Sequence, residues 1–341
     1  MVRKWIYILV LAPFISGCNG RISPDRVPVR LCADVSGMGM DTKAPFTGVP
    51  SDGNEFEVSA WFSYEPGIYP DDPKSPQNLP NRIEFTFDSG SAVDVRDNNG
   101  LLYYPIPADE NYNANKKYIY CTGFHPKDGW NIDDKGSTYV VSHAIDGATD
   151  LMFSDLMKGS YENNYEEFMF EHLLTWISFN ASVTSSDAAD IWGTITSIQI
   201  TTPKNSLQIT LSNDLNNGST IEYLGDPQDV QVVSGGDIPL SVKAVKVGDA
   251  LCSPPQKNPE NEQEYGYKVV VATSKVGSKE IFVPLYDTDN EKITEPVEAI
   301  GKLFAISLYF NEVSVVQGVC TMKYWEDVTE DLYMEEKNQN Q

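Results

Sequence analysis

The chain has 341 residues and a formal net charge of −24; residues 1–17 contribute +2, which leaves −26 on residues 18–341. A field of that sign repels phosphate backbones and anionic lipid surfaces, so nucleic acid is excluded as a partner, as is a membrane role based on a basic patch. The 18 Tyr, 14 Phe and 6 Trp are too many for a disordered acidic chain, and residues 18–341 are enough for two domains.

Arg3 and Lys4 open the chain, and residues 5–15 are apolar except for Pro13. A run of that length makes about 16 Å of helix, half a bilayer's hydrocarbon thickness, which suits a signal peptide better than a membrane span. Ile15-Ser16-Gly17-Cys18 looks like a bacterial lipoprotein processing box. In such a box the cysteine is lipidated and becomes the new N-terminus. We read residues 1–17 as a signal peptide and Cys18 as a lipid anchor; an ordinary signal peptide cut nearby is the plain alternative. Cys32, Cys121, Cys252 and Cys320 are widely spaced and form no C-x-x-C pair, so they are no disulfide scaffold, and their pairing stays open.

In "RVPVRLCADV" (26–35), Val27, Val29, Leu31, Ala33 and Val35 alternate with Pro28, Arg30, Cys32 and Asp34. Period-2 alternation predicts a half-buried strand, with Pro28 at its edge or start. The next segment, "SGMGMDTKAP" (36–45), is an exposed loop of the type proteases cut, with Lys43 the only basic residue between Arg30 and Lys74.

Further strands are expected at 56–64, 81–89, 117–124, 176–184, 196–202, 207–212, 237–245, 267–274, 280–286, 303–311 and 319–325, separated by Gly, Pro, Asn and Asp clusters. Many short strands with turn chemistry between them indicate an all-β fold of sandwiches. "ATDLMFSDLMKG" (148–159) has room for a helical turn or two. "FMFEHLLTWISF" (168–179) fits helix spacing and strand composition alike and is read as strand. The polar break "TSSDAADIWG" (184–193) is the expected boundary between domains at 44–188 and 189–341.

No catalytic or metal residues can be nominated. His125, His143 and His172 are isolated, with no ligand spacing for zinc; His125 reads as an exposed turn residue and His172 as a core histidine. "DTDNEK" (287–292) begins like a calcium loop but has Lys292 where the EF-hand turn needs Gly. No G-x-S-x-G, H-E-x-x-H, P-loop or G-x-G-x-x-G is present. No cofactor and no enzymatic activity are expected.

The order of these features resembles the fimbrillins, subunits of the type V pili of Bacteroidales bacteria. The resemblance rests on the box ending at Cys18, the strand at 27–35, and "DTK" before "APF". It continues through "LLYYPIP" (101–107), "TDLMFSDLM" (149–157), "EFMFEHLLTWISFNASV" (167–183) and "IGKLFAISLYF" (300–310), to a terminal strand closing at Trp325. It implies two tandem transthyretin-like β-sandwiches, exported as a lipoprotein to the outer membrane and cell surface, in a fimbrium that supports adhesion. It also implies that a Lys- or Arg-specific surface protease cuts the loop after the first strand, making residues 18–43 a propeptide. The opened groove is then filled by a C-terminal strand of another subunit, so that subunits join head to tail in a homo- or hetero-polymer.

Carried onto this chain, the cut falls at Lys43, where the family's usual residue is arginine. An uncut subunit would stay lipid-anchored. The donor would come from residues 313–341, with Val319, Thr321, Met322, Tyr324 and Trp325 in its strand; which face points inward is open, and the acidic tail after Trp325 is either part of a donor arm or merely solvated. A different class of function, a lipid-anchored surface glycan-binding lipoprotein, would use aromatics such as Trp61, Tyr64, Tyr69 and Trp130 to stack on sugars.

Overall fold

A computed structural model describes residues 26–31, 33–35, 56–66, 82–87, 93–97, 100–107, 117–135, 138–165, 168–313 and 316–323. The fold is nearly all β. A six-stranded sheet runs, in order across it, Ala33–Val35, Phe168–His172, Met152–Ser160, Tyr118–His125, Phe56–Ser63 and Arg82–Phe87. Both of its faces are buried. Val58, Ala60, Phe62, Ile119, Cys121, Phe168 and Phe170 join one apolar cluster with Val29, Leu31, Val95, Leu102 and Tyr104. Trp61, Phe124 and Phe153 join a second cluster with Tyr139, Val141, Leu207 and Ile209.

That second layer is a four-stranded sheet in the order Thr220–Leu224, Ser206–Thr210, Tyr139–Ala144 and Asn131–Asp134. Its hairpin over 206–224 comes from later in the chain and pairs with Tyr139–Ala144, Val140 opposite Thr210.

The rest of the second half is two sheets facing each other. One has the order Val245–Cys252, Thr175–Val183, Leu303–Phe310 and Val316–Lys323; the other has Gln228–Pro239, Thr194–Thr202, Asn261–Thr273 and Gln256–Asn258, with Gly277–Pro284 also paired to Asn261–Thr273. Alternate residues fill the space between them, including Ile177, Phe179, Phe304, Ile306, Leu308, Phe310, Ile198, Ile200, Val269 and Val271. Interdigitation of two inner faces makes a sandwich core.

Several readings are corrected or refined. The helical turn expected in 148–159 is instead the strand Met152–Ser160; a register shift between Ser154 and Met157 breaks its alternation and gives it helix-like spacing. The stretch 168–179, read as strand, is strand, but as two, Phe168–His172 and Thr175–Val183, parted at Leu173 and Leu174. The polar break at 184–193 holds an α-helix, Ser186–Trp192: the Ser185 hydroxyl accepts from the Ala188 N–H, Gly193 ends it at φ 78°, and Trp192 is buried with its Nε1–H donating to the Asn311 carbonyl at 2.8 Å. The strand expected over 237–245 is interrupted, Pro239 ending one strand and Val245 beginning the next.

Gly123 sits where the six-stranded sheet meets Phe168 and Phe170, and a Cβ there would overlap the Phe168 ring. Gly123→Val therefore overpacks a filled core and is expected to lower unfolding stability by about 1–3 kcal/mol, read from urea denaturation.

Candidate functional site

The most unusual element is the first strand. Val29 and Leu31 are 0% and 1% exposed, in the first strand of the described residues, which precedes the segment holding Lys43. It lies in a slot lined by Val95, Leu102 and Tyr104, with Val58, Phe62 and Ile119 of the six-stranded sheet completing the apolar cluster.

The slot grips the backbone from two sides. The Val29 N–H donates to the Leu102 carbonyl at 2.8 Å, the Tyr104 N–H to the Val27 carbonyl at 3.1 Å, and the Val95 N–H to the Val29 carbonyl at 2.9 Å. These bonds use Val27 and Val29, so Pro28, opposite Tyr103, is spared from donating. After Val29 the strand pairs antiparallel with 93–94, Arg30 opposite Asp94 and Leu31 opposite Val93. It then changes sheets: Ala33–Val35 runs parallel to Phe168–Phe170 and forms an edge of the six-stranded sheet. One strand thus closes two layers at once.

The slot's partners come from very short strands, Val93–Asp94, Arg96–Asp97 and Gly100–Leu101, with Gly100 at φ 122° beside the two-residue connection 98–99. The inner wall is fixed by two tyrosines. The Tyr165 N–H donates to the Tyr104 hydroxyl at 2.9 Å, and the Tyr165 hydroxyl donates to the Ile119 carbonyl at 2.5 Å. Burial pushes both hydroxyls above the ordinary phenol range, so both stay protonated. On the outer side, Arg30 Nε lies 2.7 Å from Asp94 Oδ1, and the Arg26 guanidinium lies 6.0 Å from the centre of the Tyr103 ring.

The last described strand is an edge among the described residues. Val316–Lys323 pairs antiparallel with Leu303–Phe310, Cys320 opposite Ile306 and Met322 opposite Phe304. The inward face, undecided by sequence pattern, is Val316, Cys320 and Met322, which are 6%, 4% and 6% exposed, whereas Val319 is 52% exposed. A Cβ on Gly318 would sit 2.6 Å from Val283 Cγ2, so this strand packs closely on the opposing sheet. Thr321 pairs with Ala305. Burial pushes the Cys320 thiol up to about 12, and the Cys252 thiol likewise, so neither is a reactive thiolate at neutral pH. Cys121, Cys252 and Cys320 are free and buried.

Cys18, Lys43, Tyr324 and Trp325 lie outside the described residues, as does Tyr69. Among the described residues no group of three or more His, Cys, Asp or Glu could hold a metal ion. His125 is not an exposed turn residue: it ends its strand 5% exposed, with Nδ1 2.7 Å from the Glu57 carbonyl. His172 is in the core, with Nδ1 2.8 Å from Asp150 Oδ2. In the acidic turn, Asp287 Oδ1 accepts from the Asp289 and Glu291 amides, and Lys292 Nζ lies 2.8 Å from Glu264 Oε1. Of the aromatics offered for sugar stacking, Trp61 is 2% exposed against Phe124, and Trp130 packs on Phe124 and His143 with its Nε1–H bound to the Pro126 carbonyl.

No family model matches the chain, and no curated protein matches it. Solved structures do. A candidate cell adhesion protein from Bacteroides uniformis aligns with 87% of this chain and 99% of its own at 13% identity, with a TM-score of 0.50. A fimbrial protein from Bacteroides vulgatus aligns with 88% of this chain and 100% of its own at 13% identity and a TM-score of 0.45. A candidate cell adhesion protein from Bacteroides ovatus aligns with 86% and 96% at 11% identity and a TM-score of 0.45. At such identity the likeness to the first is one of fold, and the other two are weaker still.

The slot's grip divides into a large apolar part and a small ionic part. Leu31→Ala is expected to cost about 2–5 kcal/mol of stability in urea unfolding, as a buried leucine truncated in a filled core does. Arg30→Ala, at an exposed ion pair, should cost under about 1 kcal/mol in the same measurement.

Proposed function

We propose that this chain is a non-enzymatic structural subunit of a surface fimbrium of the type V kind, supporting cell adhesion. In this reading it is exported as a lipoprotein through Cys18 and carries two tandem transthyretin-like sandwiches; the strand Thr175–Val183 and the helix Ser186–Trp192 pack within the second, and the 206–224 hairpin crosses back to the first. A surface protease cuts after Lys43. The strand at 26–35 then leaves with the lipid, and a strand from another subunit enters the slot.

The observation that carries this reading is the slot itself. Residues 27–35 complete two layers of the fold, but after a cut at Lys43 nothing covalent would hold them there. Losing them would bare an apolar groove and leave the Leu102 carbonyl and the Val95 and Tyr104 amides without their partners. Unsatisfied ladder groups over an apolar slot are what strand addition repairs. A head-to-tail contact of this kind does not close on itself and so builds a filament. At the other end, Val316, Cys320 and Met322 help fill the chain's own core, so we assign the donor role chiefly to residues after Lys323, with Tyr324 and Trp325 at its base and Val319 and Thr321 in the strand that leads to it. The fold likeness to a candidate adhesion protein supports this class of function.

In native cells, surface material should show this chain in a high-mass ladder on gels, with Ala44 as its N-terminus by mass spectrometry. Lys43→Ala should keep acylated Cys18 and drop out of the ladder. A Lys43→Ala chain that still enters the ladder would contradict the mechanism.

A further inference from the structure

The first strand shows what the slot accepts. Its inner face carries Val27, Val29 and Leu31, aliphatic at every alternate position. Its outer face carries a cation at each end of that run, Arg26 against the Tyr103 ring and Arg30 against Asp94. The resident strand runs parallel to Phe168–Phe170 through Ala33–Val35. Resting on the strand-exchange reading above, we infer that the emptied slot selects a donor strand with alternating aliphatics flanked by outer-face cations, and rejects the acidic tail of a second copy of this chain, so that its occupant comes from a different kind of subunit.

The chain's own tail fails this requirement on both faces. After Lys323 the sequence is "YWEDVTEDLYMEEKNQNQ", where Leu332 and Met334 are the one pair of apolar residues at alternate positions. Seated in place of Val27 and Val29, they put Asp331 over the Tyr103 ring and Glu335 beside Asp94. A carboxylate over the negative face of a ring and two carboxylates side by side are both repulsive. Seated in place of Val29 and Leu31, they put Glu330 where Val27 meets the apolar cluster, which desolvates a charge without a partner. Residues 320–324, Cys-Thr-Met-Lys-Tyr, come nearer, with Lys323 in the place of Arg30, but Val319 stands where Arg26 would be, and Cys320 and Met322 are buried in the chain's own sandwich.

The test uses the full chain from residue 18, with a site for a single-site protease in place of residues 38–43. The nicked protein is offered labelled peptides: residues 26–35 with Cys32→Ser, the same peptide with Arg26→Glu and Arg30→Glu, and residues 328–337. The unaltered peptide should exchange into the slot, and the charge-reversed one about ten-fold more weakly, the size expected when two surface contacts of this kind are inverted. The tail peptide should be weaker again. In an Asp94→Lys chain the preference between the first two peptides should shrink or invert. Equal uptake of the charge-reversed or tail peptide overturns the selection rule while leaving exchange intact. Failure of the unaltered peptide to enter overturns the exchange reading and this inference with it.

Discussion

The fold turns on one constraint: the slot between 93–95 and 102–104 must be filled by an extended strand. Those segments are too short to form a sheet of their own, and isolated two-stranded pairings are marginal in water. Val29 supplies the Leu102 carbonyl with a donor and the Val95 amide with an acceptor, and with Leu31 it fills the apolar space between this small layer and the six-stranded sheet. Burying two such side chains contributes on the order of 3–6 kcal/mol, a large share of the net stability of a domain. The strand then crosses to the edge of the six-stranded sheet at Phe168–Phe170, so one element couples both layers.

The C-terminal sandwich is built differently. Its core draws on strands from Thr175–Val183 to Val316–Lys323, the last of them at the end of its sheet's order among the described residues. Its outward row includes Val319, and among the described residues no strand pairs on its other side, while Cys320 and Met322 hold it down. An edge of this kind is a site where further extended chain can pair. The first described strand thus seals an apolar slot, and the last is anchored in the core of its own sandwich.

Much of this is legible in the residues. The strand at 26–35 announces itself because alternate burial leaves a period-2 pattern, and long strands such as Leu303–Phe310 do so for the same reason. Its change of sheets between Leu31 and Ala33 leaves no local trace, because the sequence alternation runs on unbroken. Asp94, Tyr103 and Tyr104, which define the slot, are not legible: two-residue strands are too short for any periodicity, and the hairpin signal in "RDNNG" (96–100) is the one available cue. The strand Met152–Ser160 is hidden by its bulge, and the helix Ser186–Trp192 by a polar composition that reads as a break, although Ser185 and Gly193 are ordinary cap residues. His125 reads as exposed because "HPKDG" is turn chemistry, yet the turn begins only after it.

Strand exchange requires that residues 27–35 be a separable part of a molecule that otherwise stands. Hydrogen exchange read by mass spectrometry tests this directly, on the chain nicked between 38 and 43 before and after the strand is washed out. Amides of 93–104 and 168–172 should lose protection, while those of Asn261–Thr273 and Leu303–Phe310 keep it. Loss that spreads through the C-terminal sandwich, or unchanged protection at 93–104, would contradict it.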